Sequence, residues 1–191
     1  VKTKNVNILV KAVGDESDTG DQGVIEAYAS VFGNRDSYGD VVMPGAFTET
    51  LQEWAESGNA IPLLYGHDFG DPFSNIGAVT SASEDEHGLK ITASLDLDNA
   101  KAKQVYRLLK ERRLTQMSFA YDIIDGGEGK LDDKWCFELR KLKLYEVSVV
   151  PIGANQETEV TSVKSFDDAE KKESTGRNNY INSRLLILEK E

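Results

Sequence analysis

Three residues of this chain have side chains that can exchange protons or attack a carbonyl, and each stands in a stretch that would hold it: Ser118, His67 and Glu146. Ser118 lies in Gln116-Met117-Ser118-Phe119-Ala120-Tyr121. Read with period two, Met117, Phe119, Tyr121 and Ile123 form one apolar face, and Ser118 points the other way with Gln116, Ala120 and Asp122. A serine on a rigid strand beside a small residue is accessible to a base and a substrate, although most strand serines are ordinary edge or surface residues. His67 follows an apolar run, in Gly66-His67-Asp68. A loop histidine there can exchange protons near neutral pH or be a plain surface residue. Glu146 shares a face with Leu144, Ser148 and Val150 in an otherwise apolar strand. A carboxylate there either faces water from an edge strand or is buried with a partner, as the acid that orients a histidine is.

Two further residues have reactive types. Cys136 sits between Trp135 and Phe137, on the polar side with Glu138 and Arg140 or tucked in as a small hydrophobe. Free cysteines are mostly packing residues, which ranks it behind Ser118 as a nucleophile. His87, in Glu84-Asp85-Glu86-His87-Gly88, reads as part of a solvated turn before a strand.

The elements that must position these groups follow from periodicity. Val6 to Val13 predicts a first strand, Gly14 to Gly23 an acidic loop, and Val24 to Phe32 a second strand. Gly33 to Asp40 is a turn cluster. It departs from a calcium loop because Tyr38 occupies a ligand position and Gly45 falls where a bidentate glutamate belongs. Phe47, Leu51, Trp54 and Ala55 predict a helix starting near Gly45 and ending at Gly58-Asn59. Ile61 to Tyr65 and Ile76 to Ala82 predict strands. Leu89 to Leu97 alternates apolar and polar residues more cleanly than any other stretch. Asp98 or Asn99 can cap a helix carrying Val105, Tyr106 and Leu109. After the Ser118 strand, Gly126 to Asp133 predicts a hairpin loop. Trp135, Phe137 and Leu139 predict one strand, and Tyr145, Val147 and Val149 a last one stopped by Pro151. Residues 1–165 form one domain on this reading. Residues 166–191 form a charged tail, mobile or partly helical, with an adhesive run Leu185 to Leu188. The pattern predicts a mainly β fold, an antiparallel barrel or sandwich with flanking helices.

Composition sets limits. The chain has 191 residues, 22 basic and 33 acidic, and a formal charge of −11. That excess of negative charge disfavours nucleic acid as a partner, and no polybasic patch or long apolar run points to a membrane. One cysteine and two histidines exclude an internal disulfide and a Cys/His zinc site without carboxylates. No metal or cofactor is required. The first residues lack a signal-peptide core, so an intracellular setting is expected.

Four collinear stretches then carry a family resemblance. They are Ala29-Ser30-Val31-Phe32-Gly33-Asn34 with Asp36 and Gly39-Asp40-Val41-Val42-Met43-Pro44-Gly45-Ala46-Phe47; Pro62-Leu63-Leu64-Tyr65-Gly66-His67-Asp68; Met117-Ser118-Phe119-Ala120-Tyr121; and Glu146-Val147-Ser148-Val149-Val150-Pro151-Ile152-Gly153-Ala154-Asn155. Together they resemble the caudovirus prohead proteases, the serine proteases that mature tailed-phage capsids, over about Val24 to Asn155.

The resemblance implies His67 as general base and Ser118 as nucleophile of a serine endopeptidase. It also implies an assemblin-like antiparallel β-barrel surrounded by helices, because the phage enzymes are similar to the herpesvirus assemblins. Those have a second histidine as third triad member. This chain offers Glu146 in the comparable place, with Asp68 the next carboxylate to consider, and His87 lies far from it. Gly153, Ala154 and Asn155 are the candidate oxyanion and substrate-binding residues. The implied partner is a major capsid protein precursor or its scaffolding segment, cleaved inside the immature prohead in the bacterial host cytoplasm. Self-cleavage is expected, and a homo-oligomer is compatible. The competing readings are a non-catalytic capsid-assembly module with a protease-like barrel, and a cysteine hydrolase using Cys136. The separation of Ser118 Oγ from the His67 ring distinguishes them.

Overall fold

A computed structural model describes residues 2–7, 23–152 and 160–164, with side chains for 23–152 and Val163. The expected acidic loop up to Gly23, the loop candidates Gly153, Ala154 and Asn155, and the tail from residue 166 lie outside the described residues, apart from Gly23 itself.

The described strands form one nine-stranded sheet. They are β1 (Lys2–Asn7), β2 (Gly23–Val31), β3 (Asp40–Val42), β4 (Pro62–Tyr65), β5 (Asn75–Glu84), β6 (Gly88–Leu95), β7 (Gln116–Leu131), β8 (Lys134–Val150) and β9 (Val160–Lys164). Two α-helices flank it, α1 (Thr48–Ser57) and α2 (Ala100–Lys110), with a 3₁₀ turn at Pro72–Ser74. The pairing path runs β1-β7-β8-β4-β5-β6-β2-β9, with β3 also on β8. The sheet curls, bringing β2 against β7.

The mainly β expectation holds, with two corrections. The sheet is not purely antiparallel: β3 and β4 both pair parallel with β8, one after the other along the same edge. Two α-helices flank the sheet among the described residues. The expected hairpin loop and separate last strands are instead a single long ribbon. β7 and β8 pair from Gln116↔Val150 to Leu131↔Lys134. The turn is reduced to Asp132 and Asp133, both with positive φ (49° and 60°), the conformation that a two-residue type I′ hairpin needs. Gly126 and Gly129 are paired in this ladder, and a Cβ at Gly126 would come within 3 Å of Glu138 O and the Phe137 ring, one at Gly129 within 3 Å of the Glu138 side chain. At the start of the chain, β1 begins at Lys2 rather than at Val6.

The core gathers the alternating residues of β2, β6, β7 and β8. Ile25, Leu89, Ile91, Met117, Phe119, Leu139 and Val147 are among its buried members. Phe47 packs edge-on against Phe119, with ring centroids 5.2 Å apart. Phe47 also starts α1, which ends at Gly58 in a left-handed cap (φ 69°). Trp54 Nε1 donates to Leu144 O at 2.9 Å and Leu144 N donates to Thr50 Oγ1 at 3.0 Å, which fastens α1 to β8. Ala55, expected on the inner face, is exposed. Asn99 caps α2 by accepting from Lys101 N at 2.9 Å. In the turn cluster, Asp36 Oδ1 accepts from Tyr38 N and Asp40 N at 2.9 and 2.8 Å, which shapes that loop from within.

Candidate active site

β8 lies between β7 and β4, and this order assembles the site. Across the β7–β8 ladder Ser118 stands opposite Ser148 and Ala120 opposite Glu146. Across the parallel β4–β8 ladder Leu64 pairs with Ser148 and Tyr65 with Val149. Ser118, Ser148 and Glu146 therefore share one face of adjacent strands, as period two requires. This face, opposite that of Met117, Phe119 and Tyr121, is also closed to solvent. Ser118 and Ser148 are fully buried and Glu146 is 1% exposed. β7 is covered on both faces here.

His67 enters from the end of β4. Gly66 and His67 both have positive φ, 70° and 57°. Glycine adopts that conformation freely, and a histidine adopts it at a cost of order 1–3 kcal/mol when the surroundings hold it. They do: Gly66 N donates to Val149 O at 3.0 Å, and His67 N donates to Ser148 Oγ at 3.2 Å. The double left-handed turn folds the imidazole back over β8.

The ring then bridges the two side chains singled out in the sequence. Nδ1 is 2.7 Å from Glu146 Oε1, and Nε2 is 2.5 Å from Ser118 Oγ. A carboxylate only accepts, so the network assigns the imidazole hydrogen to Nδ1 and leaves the Nε2 lone pair facing the Ser118 hydroxyl. The imidazole is 13% exposed. A carboxylate as buried as Glu146 would be costly alone, and here both its oxygens are engaged, Oε2 accepting from Ser148 Oγ at 2.5 Å. Carboxylate, imidazole and hydroxyl in that order can draw a proton from the hydroxyl toward the imidazole when the oxygen attacks an electrophile.

The loop after His67 is pinned to α2. Lys101 Nζ reaches Asp71 Oδ2 at 2.5 Å and Ser74 Oγ at 2.8 Å, and Asn99 Nδ2 donates to Phe73 O at 2.9 Å. Asp68 faces into this loop, accepting from Ser74 Oγ at 2.8 Å and Gly70 N at 3.0 Å. Those bonds, the Ser74 hydroxyl first, hold its carboxyl below the ordinary value, and the Lys101 ammonium does the same for Asp71. Asp68 is thus engaged as a brace for the loop, whereas Glu146 meets the ring.

The remaining candidates fall elsewhere. Cys136 is buried, the small-hydrophobe alternative, while its neighbour Trp135 is 63% exposed. It is ten positions before Glu146 on β8, roughly 30 Å along an extended strand, beyond reach of His67. His87 is exposed and packs edge-on against Tyr28, with centroids 4.5 Å apart. The sequence reading assigned nothing to Ser148, although Glu146-Val147-Ser148 places both polar groups on one strand face. The paired left-handed residues and the Asn99–Lys101 anchor had no readable signal beyond Gly66.

Comparison with known proteins gives a consistent picture. A family model described as caudovirus prohead serine protease matches residues 10–172. The prohead protease of Enterobacteria phage HK97 is 29% identical over 161 residues, covering 84% of this chain and 67% of that protein. The prohead protease of Escherichia phage T5 is 27% identical over 165 residues, covering 85% and 73%. Among solved structures, the bacteriophage T4 capsid assembly protease superposes with a TM-score of 0.53 at 9% identity, over 78% of this chain and 99% of that one.

Proposed function

Since this chain belongs to the caudovirus prohead serine protease family, we propose that Ser118 is its nucleophile, His67 its general base and Glu146 the acid that orients the base. The observation that carries this reading is the continuous Glu146–His67–Ser118 contact, 2.7 and 2.5 Å long.

In this mechanism Ser118 Oγ attacks the scissile carbonyl carbon as its proton passes to His67 Nε2. The tetrahedral oxyanion collapses, His67 gives the proton to the leaving amine, and an acyl ester remains on Ser118. Water, deprotonated by the same nitrogen, attacks the ester, and the carboxylic product leaves with Ser118 restored. Glu146 holds the Nδ1 hydrogen and stabilises the imidazolium formed in each half-reaction. Oxyanion donors are assigned to Gly153, Ala154 and Asn155, because they follow the end of β8 so closely in sequence. An assemblin-like barrel is the fold-level part of the proposal, supported by the curl of the sheet and the strand placement of Ser118.

The relatives are named for prohead and capsid assembly, so the proposed substrate is a capsid protein precursor or its scaffolding segment. The proposed place of action is the immature shell within the host, with self-cleavage included. A non-catalytic assembly module would need no contact between Ser118 and His67, and the short contact favours the enzyme.

The test is incubation of wild-type and Ser118→Ala protein with capsid precursor, alongside labelling by a fluorophosphonate. Cleavage and labelling by wild type, with neither from folded Ser118→Ala, is the expected result. Processing by folded Ser118→Ala at the wild-type rate refutes the nucleophile assignment.

A further inference from the structure

A second buried serine stands inside the site with both functions of its hydroxyl committed. Ser148 is fully buried and lies directly opposite Ser118 across the β7–β8 ladder. Its Oγ is 3.2 Å from His67 N and 2.5 Å from Glu146 Oε2. A backbone N–H can only donate, so the first contact uses an oxygen lone pair. The hydroxyl hydrogen is then directed at Glu146, which accepts. Donor and acceptor roles are fixed by the chemistry of the two partners.

We infer that Ser148 is a positioning residue of the proteolytic site, a single hydroxyl that ties the Glu146 carboxylate to the backbone of the histidine it orients. The inference rests on the triad reading above and adds a fourth member to it. Rotation of a carboxylate about its last torsion is soft. With only Oε1 engaged by Nδ1, the plane of Glu146 would be free to turn. The bond to Oε2 fixes that plane. Ser148 Oγ also accepts the N–H of His67, whose left-handed backbone (φ 57°) depends on being held. Carboxylate and imidazole are thus located relative to each other through β8 as well as by their own contact.

The arrangement also explains why Ser118 and Ser148, equally buried and face to face, are not equivalent. The Ser118 hydroxyl meets Nε2, which can take its proton. The Ser148 hydroxyl meets Glu146 Oε2, an oxygen of the carboxylate whose other oxygen, Oε1, meets the imidazole. Ser148 therefore orients and does not attack.

The experiment measures, on the full chain, the rate of Ser118 labelling by a fluorophosphonate, which reports nucleophile activation independently of peptide binding. The proteins are wild type, Ser148→Ala, Ser148→Thr, Ser118→Ala, Glu146→Gln and the Ser148→Ala/Glu146→Gln pair. Ser148→Ala is expected to label about 10–100-fold more slowly, the scale of one hydrogen bond to a charged group. Ser148→Thr, which keeps the hydroxyl, recovers most of the rate. In the Glu146→Gln background the same serine change costs less than about 3-fold, because the effect passes through that carboxylate. Where Ser148→Ala fails the thermal-melt check for folding, Ser148→Cys, nearly isosteric and a weaker donor, takes its place in the same cycle. Labelling of Ser148→Ala within about 3-fold of wild type, or equal losses in both backgrounds, overturns the inference while the triad stands. Labelling of Ser118→Ala at the wild-type rate overturns the triad itself, and this inference with it.

Discussion

The two ends of the β7–β8 ribbon are made of the same paired strands and have opposite surroundings. At one end Ser118, Ser148 and Glu146 are sealed from solvent between β4 and β1, each strand paired on both sides. At the other end, beyond the contact with β3 at Phe137, the strands have only each other among the described residues. There Trp135 is 63% exposed. Polar groups respond accordingly. In the sealed end they bond to one another, because an unmet hydroxyl or carboxylate would carry its full desolvation cost. Away from the site, around the β3 pairing, Glu138 and Arg140 pair at 2.6 Å on the surface, where water competes for both. The same type of interaction thus specifies geometry in one place and decorates a surface in the other.

The largest effect that would break this contrast is at the proposed nucleophile. Ser118→Ala is expected to lower kcat by on the order of 10⁴–10⁶-fold, as loss of a hydroxyl nucleophile does elsewhere, with a thermal midpoint near wild type. A single-turnover assay on capsid precursor and a thermal melt check both halves. Glu146→Gln comes next. The amide can still accept from the ring, but it cannot stabilise an imidazolium, so a fall in kcat on the order of 10²–10⁴-fold is expected. A rise in KM alone would show that the carboxylate serves substrate binding.

A smaller effect concerns the loop behind His67. Asp71, held down by Lys101, and Asp68, held down by Ser74, have folded pKa values below the ordinary 3.8. For a depressed carboxylate the stabilisation is complete above the unfolded value and is lost as pH falls through the folded one. Stability from this loop should therefore be level from pH 7 to about 4 and decline only below 3.8. Lys101→Met should weaken that acid-side decline; urea midpoints against pH for both proteins measure it. The smallest effect is at that surface pair. Arg140→Ala should leave proteolysis and the melting midpoint indistinguishable from wild type. A drop in either would show that the hairpin surface is joined to the site.

The sequence was most readable where one element's own periodicity was enough. Leu89 to Leu95 alternates and is β6; Met117, Phe119 and Tyr121 share a buried face; Asn99 caps α2; Gly58 ends α1. It left alternatives open where a second face is also covered. Period two sets Ser118 opposite its apolar neighbours and leaves Glu146 either facing water or buried with a partner; both are buried. It misled at Gly126 to Leu131, where glycines that look like a loop are ladder residues permitting close approach of Glu138 and Phe137.

Residue types and order alone determined that this chain has the groups for acyl transfer, in stretches that match one family. The meeting of those groups was decided only by tertiary structure. His67 is 51 positions from Ser118 and 79 from Glu146. Nothing in the periodicity of one strand states which other strand lies beside it, in which direction, or in what register. That β4 runs parallel to β8, with Tyr65 beside Val149, is set by how the whole sheet packs. With that register, two left-handed residues bring an imidazole between a carboxylate and a hydroxyl. A parallel register shifted by one residue would turn the His67 side of β4 away from them.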